Sequence, residues 1–92
     1  MNDTFLRPSS AVRASASGDG LILLDVAGGL VLSANEVGAR IWQLIEQHRT
    51  HDQIARQLAD EFTIGVERAR QDVHVFVAQL VARGLVAEEY RR

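Results

Sequence analysis

Ninety-two residues, a formal net charge of −2 and no cysteine bound what this chain can be. That length holds one domain, and without cysteine there is no disulfide framework, thiolate metal site or cysteine nucleophile. Apolar residues make up 47% of the chain, enough for a packed core. No apolar run approaches the ~20 residues that a membrane-spanning helix needs, and the start lacks the pattern of a secretory signal. The expectation is a soluble, cytoplasmic protein. All ten basic residues are arginine and are interspersed with acids, a balance that argues against the basic face of a nucleic-acid binder.

In chain order, residues 1–10 read as a polar, flexible lead holding the single proline, Pro8. Residues 11–15 alternate weakly and suit a first strand. Gly18, Asp19 and Gly20 then mark a turn, because these residue types tolerate positive φ. Residues 21–26 form an apolar run of strand length, Gly28 and Gly29 a second turn, and residues 30–32 a further apolar run. Two such runs about a glycine pair predict a β-hairpin.

Helical signals take over from Asn35, a favoured cap, with Ser33 and Glu36 as an alternative capping box. Val37, Ile41, Leu44 and Ile45 recur at helical spacing beside Trp42, and this helix should end near 47–49. Thr50 and Gln53 form a second capping box, opening a helix with Ile54, Ala55, Leu58 and Phe62 on one face. Ile64 and Gly65 break it. The third helix is predicted over 66–83, with Ala69, Val73, Phe76, Val77 and Leu80 as its apolar stripe and Gly84 as its stop. Leu85 and Val86 then pack back ahead of a charged tail, 88–92. The fold class is thus α+β, a three-stranded antiparallel sheet followed by three helices, with the domain proper over 11–87.

Catalytic chemistry finds little footing. His48 and His51 straddle a helix break, and His74 lies one position off the stripe of the third helix, so solvated histidines are favoured over a metal or acid–base site. Asp25, Glu36, Asp60 and Asp72 have no spacing that requires pairing, and the glycine pair is explained by its turn rather than by phosphate binding. No enzyme activity, metal or cofactor is expected. Two binding readings remain. Residues 50–85 suit a helix-turn-helix with the hairpin as a wing, but the third helix mixes Arg68, Arg70 and Arg83 with Glu67 and Asp72. The other reading uses the strand at 30–33: paired on one side only, it offers an edge to which an extended peptide can add.

Leu23-Leu24-Asp25, Gly29, Asn35, Gly38, Ile41-Trp42, Leu44, Thr50, Ile54-Ala55, Leu58 and Phe62 fall in order along the chain. Asp72-Val73, Phe76, Leu80 and Gly84-Leu85-Val86 continue the series. Together, over residues 12–86, they resemble the PqqD-like family. That resemblance implies a winged helix-turn-helix-like element that recognises precursor peptides of ribosomally made natural products. Such an element binds the precursor's leader as an added strand on the third strand of its sheet, against the third helix, for a separate modifying enzyme or leader protease. Val26-Ala27 stands where the quinone-cofactor chaperone tends to carry proline–glutamate, and Ala34 where leucine is usual. These departures tilt the resemblance toward a lasso-peptide leader-binding protein. A DNA-binding regulator is the first alternative, and a peptide chaperone for a radical enzyme of quinone-cofactor synthesis the second.

Carried onto this chain, the family groove assigns the backbone of Leu30, Val31, Leu32 and Ser33 to the leader strand. A helical wheel puts Asp72, Val75, Phe76 and Gln79 on one shoulder of the third helix. Val75 and Phe76 are expected to line an apolar pocket, and Asp72 and Gln79 to hydrogen-bond the leader, with core packing and a local ion pair as the rival roles of Phe76 and Asp72. Arg68 and Arg83 are weaker candidates on the same shoulder.

Overall fold

In the computed structural model, which describes residues 4–90, the hairpin and caps anticipated above set the frame. The elements run β1 (Thr4–Pro8), β2 (Val12–Ser17), β3 (Gly20–Asp25), β4 (Leu30–Ala34), α1 (Glu36–Glu46), α2 (His51–Phe62), α3 (Val66–Ala82) and β5 (Val86–Tyr90). β2, β3 and β4 form an antiparallel sheet in that order, and β1 and β5 form a separate two-stranded one. Both turns of the larger sheet use glycine at positive φ, Gly18 at 61° and Gly29 at 70°, where a Cβ would be strained. Period-two alternation then sorts the faces of β3. Leu21 and Leu23 are buried, while Ile22 and Leu24 are exposed.

Local capping chemistry starts each of the first two helices. Asn35 Oδ1 accepts from the Gly38 N–H at 3.0 Å, ending β4 and opening α1 within one residue. At α2 the box closes both ways: Gln53 N–H donates to Thr50 Oγ1 at 3.2 Å, and Thr50 N–H to Gln53 Oε1 at 2.9 Å. Gly84, at φ 69°, follows α3 and turns the chain into β5. Trp42, Ile41, Leu44 and Ile45 of α1 meet Ile54 and Leu58 of α2 and Leu80 of α3 in one core, sealed by Leu6 and Leu85.

The two-stranded sheet differs from the expectation for both ends of the chain. Within the expected lead, residues 4–8 form β1, paired from Thr4↔Tyr90 to Pro8↔Val86; residues 1–3 lie outside the described residues. Likewise, residues 88–90 of the expected charged tail belong to β5, and Arg91 and Arg92 lie outside the described residues. The physical reason is burial: Leu6 is fully buried beneath this sheet, worth roughly 1.5–3 kcal/mol for a leucine. Pro8 is compatible with the ladder. Ser9 N–H donates to the Leu85 carbonyl at 2.9 Å, so by alternation the proline nitrogen faces away from β5 and no ladder donor is lost.

Candidate functional site

β4 is the edge of its sheet, and the direction of its main-chain groups follows from a bond two strands away. Val26 N–H donates to the Ala11 carbonyl at 3.0 Å. Main-chain groups alternate along an antiparallel strand, so Ile22 and Leu24 also face β2, whereas Leu21, Leu23 and Asp25 face β4. Their partners are Ala34, Leu32 and Leu30. Leu30 and Leu32 therefore spend their N–H and C=O on β3, and Val31 and Ser33 turn theirs to the open edge. The four-residue backbone assignment narrows to these two.

Beside the Ser33 end of this edge lies a cleft of about 390 Å³ between the β4–α1 junction and α3. Ser33, Asp72, Val75, Phe76 and Gln79 line it together. Val31 and Leu32 do not; they continue the edge beyond it, and Leu32 packs its side chain on the core. Phe76, 9% exposed, is packed in the core and also forms part of the cleft wall. Val75, 52% exposed, is the accessible apolar surface of that wall. Asp72 pairs loosely with Arg68 one turn earlier, at 3.7 Å, an exposed pair of small energetic value. Arg68 thus belongs to the cleft, and Arg83, the C-cap of α3, does not.

The opposite wall was not assigned from the sequence. Asn35, Val37, Gly38 and Ile41 of the β4–α1 junction complete it. Gly38 carries a signal that sequence reasoning can use: a glycine in the first turns of a helix is costly unless something approaches closely. A Cβ there would sit 2.8 Å from Ala34 Cβ and 3.1 Å from Phe76 Cε1. The helix gives up a side chain so that Phe76 can reach α1.

The histidines do not gather at this cleft. His48, at φ 59°, stacks edge-on against Phe5 with ring centroids 5.8 Å apart. His51 and His74 line a separate cleft across α3. Burial holds the His51 imidazole below the usual histidine range, against the opposing pull of Glu88 and with a smaller contribution from His74. Most arginines on the α2–α3 side are engaged by acids. Arg70 bonds Asp52 at 3.0 Å and Glu67 at 2.8 Å, and Arg56 bonds Asp52 at 2.8 Å.

The sequence profile of coenzyme PQQ synthesis protein D (PqqD) matches residues 20–86, which span β3 to the start of β5. The chain belongs to the PqqD family. Among solved structures, this PqqD-family chain is similar to TbiB1 in complex with the TbiA(beta) leader peptide, with a TM-score of 0.82 and 24% identity, covering 94% of this chain and 99% of that one. It is also similar to lasso peptide synthetase B1 complexed with the leader peptide, with a TM-score of 0.80 and 22% identity, covering 89% and 96% respectively. At these identities the likeness establishes the fold, α+β with a three-stranded antiparallel sheet leading into three helices. No curated protein matches the chain.

Proposed function

We propose that this protein is a non-catalytic leader-binding protein of a ribosomal peptide pathway, with a lasso pathway as the first reading. It captures the leader of a precursor peptide by strand addition to β4 and presents it to a modifying enzyme or leader protease. The observation that carries this reading is the open edge of β4, where Val31 and Ser33 direct main-chain groups outward beside a cleft lined by polar and apolar side chains. Strand addition draws affinity from main-chain hydrogen bonds and selectivity from side-chain pockets; edge and cleft supply one each. Two solved structures of the same fold were determined with leader peptides bound, which supports the ligand class.

In this reading Val31 and Ser33 bond the leader backbone, Val75 and Phe76 receive an apolar leader side chain, and Asp72 and Gln79 orient the segment. The protein works in the cytoplasm, without metal or cofactor. Duplex DNA is a poorer ligand, because a phosphate contact would first have to break the pairs that Arg56 and Arg70 make with Asp52 and Glu67.

Paired proline variants test the reading with a precursor leader peptide, the TbiA(beta) leader that the similar TbiB1 binds being the first probe. Val31→Pro removes an outward donor and spares the β3 ladder, so the fold persists and leader affinity falls at least about tenfold. Leu32→Pro removes a ladder donor and lowers the melting temperature instead. Unchanged leader binding by a folded Val31→Pro variant rejects strand addition at β4.

A further inference from the structure

A second cleft, of about 640 Å³, lies across α3 from the first. Val73, Val77 and Val81 of α3 form its apolar wall, and Val81 is 41% exposed. Such a mainly apolar concavity with a few convergent polar groups is the usual character of a ligand site. One of its polar groups is left over from the fold. Among the described residues Glu88 makes no hydrogen bond or ion pair. His51 Nε2 has no hydrogen-bond partner either, but it is enclosed, out of reach of a group that enters the cleft. The other charges here are neutralised in place, Arg70 by Asp52 and Glu67, and His74 stands exposed at the rim.

The remaining demand is for a donor-rich cation with an apolar stem. We propose that this cleft is a socket for an arginine of a partner protein, its stem on Val77 and Val81 and its guanidinium bonded to Glu88. A guanidinium suits a carboxylate beside an apolar wall, since its planar fork can bond both carboxylate oxygens and it is weakly hydrated. A polypeptide source is favoured by β5. Ser9 bonds the Leu85 carbonyl, so by alternation Val86 and Glu88 turn their main-chain groups away from β1, toward the free edge of that sheet. An extended segment lying along this edge brings its side chain to Glu88. The socket is separate from the β4 edge and does not depend on leader binding there.

The test is an NMR titration of the full chain with three probes: a capped valine–arginine–valine tripeptide, its citrulline counterpart of equal shape without charge, and free agmatine. The arginine peptide should shift resonances of His51, Val77, Val81 and Glu88 and leave Val31 and Ser33 still. Citrulline should weaken binding about tenfold or more, the scale of a lost charge-assisted contact. Glu88→Gln, at an exposed position, should erase the preference for arginine while keeping the melting temperature. Equal binding of both peptides, shifts confined to β4, or no shift at millimolar peptide overturns the proposal. Agmatine binding as tightly as the peptide overturns the polypeptide source, and dimerisation that Glu88→Gln abolishes assigns the socket to a second copy instead.

Discussion

Gly38 and Phe76 show how single residues shape the groove. Alanine is favoured over glycine in a helix by about 1 kcal/mol, yet a Cβ at position 38 would sit 2.8 Å from Ala34 Cβ and 3.1 Å from Phe76 Cε1. Ala34 is tied to the β4 backbone, so Phe76 must yield, and its ring is also the cleft wall. Gly38→Ala is therefore expected to cost about 1–3 kcal/mol by overpacking and to weaken leader binding, measured by thermal melts beside a titration. Val75 provides the cleaner separation of stability from binding. Being half exposed, Val75→Asp should change stability by no more than about 0.5 kcal/mol and should still reduce leader affinity sharply. Normal binding by this variant removes α3 from the groove.

At the scale of elements, what the sequence revealed divides by distance along the chain. Asn35, Thr50 with Gln53, and Gly84 act on backbone groups within a turn of themselves, so the starts of α1 and α2 and the end of α3 were readable from their own residues. Thr50 is also buried, so Thr50→Ala should cost about 1–2 kcal/mol, the upper part of the range for a cap, in a chemical denaturation series. β1 and β5 had no such local marker. Thr4↔Tyr90 pairing spans nearly the whole chain, and a five-residue segment with one fully buried leucine carries little periodicity. The groove was half legible for the same reason. Asp72, Val75, Phe76 and Gln79 follow from a helical wheel, whereas Asn35, Val37, Gly38 and Ile41 join them only through the tertiary docking of α1 on α3.

At the scale of the whole molecule, the titrating groups divide stability into two pH windows. Burial depresses the His51 pKa in the folded state, so between that value and the ordinary ~6.5 the unfolded chain holds a proton that the folded one lacks. Stability therefore falls as pH drops below about 6.5, and His51→Phe should flatten that limb of a stability–pH curve. Asp52 and Glu61, held below the usual carboxylate range by Arg70 and Arg40 respectively, act in a separate, more acid window, where protonation removes their contribution. Neither window involves the β4 edge, so leader affinity at neutral pH reports on strand addition itself. The most direct test of that claim is amide hydrogen exchange of β4, residue by residue, with and without the leader peptide. Strand addition predicts that Val31 and Ser33 go from fast exchange to protected while Leu32, already bonded to β3, changes little. Unprotected Val31 and Ser33 at saturating leader would contradict it.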